Sequence, residues 1–232
     1  MAEKNLKYID VSENKKTGRR YLNFITPIGV AVWPKLVEPD EYKGKKSWKT
    51  GLKFKAEDVQ DFLDEVQPFL DEYIEEMHNK ADAKKLKEYK KGWTVREIGE
   101  EELDDTGEPT GFIILNFSKN FTDKDGNELD PPTLFDSFNQ ETQVPDIWSG
   151  SKLRIGGFLY PYGMASTKTT GSFGMAFKMQ DVQIIELKAK GQGGSGGSRF
   201  GVVEGGFGGS SVTRDTEIDD GDDAPLDDDE EF

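Results

Sequence analysis

Between Trp48 and Lys55 the chain alternates in side-chain character. Trp48, Thr50, Leu52 and Phe54 fall on one side, and Lys49, Lys53 and Lys55 fall on the other. A period of two is that of a strand with one face buried and one in water. The preceding stretch, RRYLNFITPIGVAVWP, is rich in β-branched and aromatic residues, and Pro27 and Gly29 divide it into two extended pieces. At Ala56 the period changes. Val59, Phe62, Leu63, Val66, Phe69, Leu70, Tyr73, Ile74 and Met77 recur at spacings of three and four, which predicts a helical segment over residues 56–91. Pro68 inside it is expected to kink the helix or to start a second one. Acids precede the lysines Lys80, Lys84, Lys85, Lys87, Lys90 and Lys91, an order that suits the helix dipole.

Strand patterns return after Trp93 in WTVREI, GFIILNF, TLF, SKLRIGGFLYPY and SFGMAFKMQDVQIIEL. Turn-rich pieces, DDTGEP, DKDGNELDPP and MASTKTTG, lie between them. Five or six strands with one helical insertion predict a small closed β-barrel rather than alternating βαβ units.

Composition divides the chain into three parts. Residues 1–190 form the β-rich body. Residues 191–214 begin with ten glycines in twenty-one positions and read as a flexible linker. Residues 215–232 carry eleven Asp or Glu, no Lys or Arg, and end on Phe232. The formal net charge of −15 is therefore misleading about the body: residues 191–232 account for −10, which leaves −5 for residues 1–190. An acidic total does not exclude a polyanionic ligand here. There are no cysteines, which excludes disulfides, thiolate metal sites and Cys nucleophiles. The first residues, MAEKNLKYIDVSENKK, hold no apolar stretch of signal-peptide length, and no apolar run approaches a bilayer span. The chain reads as soluble and intracellular.

Catalytic patterns are fragmentary. His78 is the sole histidine, and with Glu75 it supplies only half of a paired Glu-x-x-His metal site. Asp105-Thr106-Gly107 resembles a protease triplet but stands among charged neighbours and reads as a hairpin turn. Asp123, Asp125, Asn127 and Asp130 superficially resemble a calcium loop, yet Gly126 falls at the fourth place rather than the sixth. No enzyme, metal or cofactor is implied.

Two segments read as a binding surface. In Ser151–Tyr162, Leu153, Ile155 and Leu159 point one way, and Lys152, Arg154, Phe158 and Tyr160 point the other. In Tyr42–Lys55, Tyr42 and Trp48 are interleaved with Lys43, Lys45, Lys46, Lys49 and Lys53. Cations that hold phosphates beside rings that stack bases suit a single-stranded nucleic acid, at about 1–3 kcal/mol per stacked base with little sequence preference.

The order of parts, together with Gly150-Ser151-Lys152-Leu153-Arg154, Leu159-Tyr160-Pro161-Tyr162 and the terminal Asp-Glu-Glu-Phe, resembles the phage replication single-stranded DNA-binding proteins of the podophage type. That resemblance implies a mainly β body with a five-stranded OB-fold barrel and an inserted helix. It implies sequence-independent binding of single-stranded DNA in phage replication, recombination and repair, in the cytoplasm of an infected bacterial host. Lys152, Arg154 and Tyr162 match the family's DNA contacts by position. Lys45, Lys46 and Trp48 match its basic loop, and Tyr42, Lys49, Phe158 and Tyr160 complete the expected contacts. The tail, Asp227, Asp228, Asp229, Glu230, Glu231 and Phe232, is implied to bind replication partners such as polymerase and helicase-primase, and to compete with DNA. A flexible chain of this length spans roughly 30–40 Å, enough to reach its own groove. Seven acids in residues 97–108 are expected to lie on the far side from DNA. An exposed sheet edge or the inserted helix offers a surface for a homodimer. The competing reading is an acidic adaptor or chaperone-like scaffold that binds basic proteins through its tail, with a barrel that does not bind DNA.

Overall fold

The structure, a computed structural model, describes residues 7–14, 19–80, 93–166 and 170–188. The chain divides into two units, Met1–Gly197 and Ser198–Phe232. All described residues belong to the first. The linker and the tail, including Asp227 to Phe232, lie outside the described residues, as do Lys84 to Lys91 of the expected helix.

The strands are β1 (Ile9–Asn14), β2 (Arg19–Ile25), β3 (Gly29–Tyr42), β4 (Lys45–Lys55), β5 (Trp93–Val95), β6 (Glu100–Leu103), β7 (Pro109–Asn120), β8 (Thr133–Phe135), β9 (Lys152–Ala165) and β10 (Gly171–Glu186). One helix, α1 (Ala56–Lys80), lies between β4 and β5. Five strands close on themselves: β3 pairs with β4, β4 with β7, β7 with β10, β10 with β9, and β9 with β3. All these pairings are antiparallel except β7 with β10. This is the small closed barrel that the strand pattern predicts, in the five-stranded OB form that the resemblance implies. The β1–β2 hairpin extends the sheet beyond β9, and β6 lies against β7.

Alternation sets the inside. Trp48, Leu52, Phe54, Leu115, Phe117, Leu153, Ile155, Leu159 and Phe177 are all buried. Gly157 permits the close approach of β9 to β10: a Cβ there would lie 2.0 Å from the Lys178 carbonyl oxygen. Next to it, β10 takes an extra residue between Met179 and Asp181.

Helix α1 contributes one stripe, Val59, Phe62, Val66 and Leu70, all fully buried. Phe62 meets Tyr8 and Phe24 edge-on and Phe177 at a tilt, with ring centroids 5.8–6.2 Å apart. Glu57 and Asp58 occupy its first turn, where the helix dipole favours them. Pro68 does not divide it. A proline inside a helix costs about 3 kcal/mol. The buried side chains on either side, Val66 and Leu70, each contribute about 1.5–3 kcal/mol and hold both adjoining turns. His78 is half-buried, its ring edge-on to Phe173 at 5.8 Å. The two expected turns form. Asp104 and Glu108 close one around Gly107, and Asp123 and Asn127 close the other around Gly126. Among the described residues no group of three acids or histidines is placed to hold a metal ion, and no helix is long and apolar enough to cross a membrane.

Candidate nucleic-acid interface

The registers of successive strand pairs define a row around the outside of the barrel. Lys35 on β3 lies opposite Lys49 on β4, and Lys49 lies opposite Ser118 on β7. Ser118 lies opposite Lys178 on β10, Lys178 opposite Phe158 on β9, and Phe158 opposite Asn23 on β2. Each member points outward because its chain neighbours Trp48, Thr50, Phe117, Phe177, Leu159 and Phe24 are buried. At about 4.8 Å between strands, the row runs roughly 24 Å along the curved outer surface of the closed barrel, so only neighbouring members share one side. The Lys178 ammonium stands 3.4 Å from the Ser118 hydroxyl. Lys49 is held 2.5 Å from Asp40, and this hydrogen bond keeps the Asp40 carboxyl below its ordinary pKa.

A concavity of about 340 Å³ lies along this row on β3, β4 and β7. Val32, Trp33, Lys49, Gly51, Ile114, Asn116 and Ser118 are among the residues that line it. Trp33 is 82% exposed and has a left-handed backbone, φ 49°. Its backbone N–H donates to the Ser149 hydroxyl at 3.0 Å. Between the pairs Val32–Gly51 and Lys35–Lys49, β3 advances three residues while β4 advances two, so the ladder bulges there.

The expected contact residues fall in three places. Tyr42, Lys45 and Lys46 stand at the tip of the β3–β4 hairpin, exposed to solvent. A two-residue turn at Lys43 and Gly44 makes this tip, and both residues have positive φ. The Lys46 ammonium lies over the Phe121 ring at 5.4 Å. Lys49 and Phe158 belong to the row. Lys152, Arg154, Tyr160 and Tyr162 lie along β9. Ten residues separate Lys152 from Tyr162, about 33 Å of strand, so these two cannot grip the same nucleotide. Lys152 and Lys188 both hold Glu186, at 2.7 and 2.5 Å, and together they bring its carboxyl down to about 2, the Lys152 hydrogen bond contributing most. Arg154 Nε donates to the Thr26 carbonyl at 3.2 Å. Tyr160 is half-exposed, on a concavity of about 730 Å³ shared with Arg20, Phe158 and Phe69 of α1. The Tyr162 ring lies over Gly174, where a Cβ would come within 2.7 Å of its hydroxyl.

Trp48 is a correction. It was expected among the contacts, but it is 3% exposed and its ring packs on Phe121 at 5.3 Å. The alternation that places Lys49 outside necessarily places Trp48 inside. The acids of residues 97–108 gather on and around β6. Glu100 and Glu101 on β6 pair with Ile114 and Ile113 of β7, and Glu102 holds Lys53 at 3.2 Å. Hydrogen bonds from Thr110 and then Lys53 lower the pKa of Glu102. Lys53 is four residues from Lys49, about 13 Å along β4. The acids therefore bound one end of the lysine-bearing face. Lys178, Ser118, Asn116 and Trp33 were missed. Lys178 was legible, since it stands between the apolar Phe177 and Met179. Trp33 was not, because only the bulge turns it outward.

The fold is the first step in placing this chain among known proteins: it is an OB barrel with its helix after the second barrel strand. Three of the solved structures it resembles are of phage single-stranded DNA-binding proteins. The crystal structure of gp2.5, a single-stranded DNA-binding protein encoded by bacteriophage T7, superposes with a TM-score of 0.53 at 21% identity, covering 72% of this chain and 93% of that one. The single-stranded DNA-binding protein of bacteriophage Enc34 in complex with single-stranded DNA gives 0.45 at 11% identity, over 79% of this chain and 97% of that one. Its C-terminal truncation gives 0.46 at 12% identity, over 82% and 98%. No protein-family model matches the chain, and no curated protein matches it in sequence.

Proposed function

We propose that this chain binds single-stranded DNA, without sequence preference, across the outer face of its barrel. The observation that carries this reading is the run Lys35–Lys49–Ser118–Lys178 on β3, β4, β7 and β10, which places Lys35 one strand and Lys178 two strands from Lys49 on the outside of the barrel, with Phe158 beyond them on β9. Lysines at this pitch neutralise successive phosphates, and rings stack bases of any identity. The row is built from backbone registers, so it does not depend on one flexible side chain. The hairpin tip with Tyr42, Lys45 and Lys46 extends it on one side, and β9 with Lys152, Arg154, Tyr160 and Tyr162 extends it on the other. The acids around Glu102 repel a polyanion and direct the strand away from the Lys53 end.

The similar crystal structure with a TM-score of 0.53 is of a phage single-stranded DNA-binding protein. With the sequence resemblance, this supports a role in phage DNA replication, recombination and repair in the infected host's cytoplasm. Residues 215–232 then act as a competitor for the cationic face. Once DNA displaces them, they are free to bind replication proteins.

The test is a titration of labelled single-stranded oligonucleotide with the full chain and with the chain lacking residues 215–232, with duplex as competitor. The reading requires binding to single strands, weakened by salt and poorly competed by duplex. The truncated chain should bind more tightly, most visibly at low salt. Absence of single-strand binding by both proteins at low salt would overturn the reading. Equal affinity of the two would overturn the competing role of the tail alone.

A further inference from the structure

Trp33 is at a position where simple alternation would bury it. Ala31 is 1% exposed and points inward, so a period of two sends residue 33 inward as well. The bulge adds one residue to β3 and reverses this. Trp33 turns outward and Pro34 and Leu36 go inside. The turned-out state needs a left-handed backbone, which is unfavourable for a residue with a Cβ. The Ser149 hydroxyl, 116 residues away in sequence, accepts the Trp33 N–H and holds that conformation. The result is an 82% exposed indole at the edge of the concavity on β3, β4 and β7.

The concavity has the chemistry of a nucleobase site. Its volume of about 340 Å³ suits a planar ring system at the low end of ligand-pocket sizes. One wall is the indole. The floor is Gly51, where an added Cβ would lie 3.2 Å from Ile114 Cγ2 and 3.4 Å from Val32 Cβ, so a larger residue would fill the space. Asn116 and Ser118 supply amide and hydroxyl groups that both donate and accept. Lys49 on the same lining supplies a cation for the adjoining phosphate.

We propose that this slot takes one unstacked nucleobase of the bound strand, stacked on the Trp33 indole, with its edge toward Asn116 and its phosphate toward Lys49. The inference rests on the single-stranded DNA reading above and adds to it a specific base subsite. Asn116 and Ser118 can each present a donor or an acceptor, so the subsite tolerates every base.

The experiment compares the full chain with Trp33→Ala and Trp33→Phe, using a labelled oligothymidylate at several salt concentrations, while indole fluorescence is followed. Thermal unfolding of each variant checks the fold, which the exposed ring does little to hold. The proposal expects Trp33→Ala to bind about 5- to 150-fold more weakly, equivalent to the ~1–3 kcal/mol of one stacked base. Trp33→Phe retains most of the affinity. The salt slope is unchanged in both, because no phosphate contact is removed. DNA quenches indole emission in the parent chain, and most of that quenching is lost in Trp33→Phe. If the parent chain binds and Trp33→Ala binds equally well, the slot is wrong and the single-stranded DNA reading stands. If the parent chain does not bind, the broader reading fails and the slot fails with it.

Discussion

Glu186 offers a quantitative test of whether Lys152 contacts phosphate. Its carboxylate is held by Lys152 at 2.7 Å and by Lys188 at 2.5 Å. A phosphate oxygen accepting a hydrogen bond from Lys152 would stand about 5 Å from that carboxylate. All three side chains are a third to a half exposed, so the dielectric of water applies, and the repulsion is about 0.8 kcal/mol. Screening reduces it to about 0.7 kcal/mol near 0.01 M salt and about 0.4 kcal/mol near 0.15 M. Glu186→Gln removes the repulsion and frees Lys152. It should tighten single-stranded DNA binding about 3-fold at the lower salt and about 2-fold at the higher. Fluorescence anisotropy with a labelled oligonucleotide reads both values. In the Lys152→Ala background most of the gain should vanish, because the freed cation is gone. The carboxylate titrates at about 2 against an ordinary 4.5, so it is ionised throughout pH 5–8 and the gain should be constant there. Its folded-state value is depressed. Its contribution to stability is therefore complete above pH 4.5 and is lost as pH falls toward about 2. A Glu186→Gln affinity equal to that of the parent at low salt would refute the placement of phosphate on Lys152.

Trp48→Ala should act through the core rather than the interface. Removing a large buried ring costs about 3–5 kcal/mol, visible as a lower denaturant midpoint, while the protein that remains folded keeps its DNA affinity. Gly157→Ala should destabilise by at least the 1–3 kcal/mol typical of overpacking, since its Cβ would be 2.0 Å from a carbonyl oxygen; a thermal midpoint equal to that of the parent would show that β9 and β10 separate there at no cost.

Local pattern carries much of the fold. The alternation of Trp48 to Lys55 predicts which lysines face water, and the spacing from Val59 to Leu70 predicts the buried stripe of α1, both as observed. What local pattern does not contain is pairing between distant strands. Lys49 and Lys178 are 129 positions apart and lie two strands from each other only because β7 links β4 to β10. The same holds for the acids near Glu102, whose place beside β7 follows from a hairpin register that composition does not reveal. Trp33 fails for a different reason. A one-residue bulge inverts the inside–outside rule downstream of it, and nothing in Val32-Trp33-Pro34 fixes where the extra residue sits. Trp48 shows the opposite error: its place in a basic segment suggests a contact, although its alternation with Lys49 already assigns it to the core.

The central claim is that the row of lysines across β4 and β10 carries the phosphates. Its most direct test is the salt dependence of oligothymidylate binding by the parent chain, Lys49→Ala, Lys178→Ala and the double variant. Each lysine that neutralises one phosphate contributes about 0.7 to the slope of log affinity against log salt on single strands. The account predicts a slope shallower by about 0.7 in each single variant and by about 1.4 in the double, with thermal midpoints close to the parent's, since the exposed Lys49–Asp40 pair lost with Lys49 contributes little to stability. A double variant with the parental slope and affinity would contradict it and would move the DNA path off this face of the barrel.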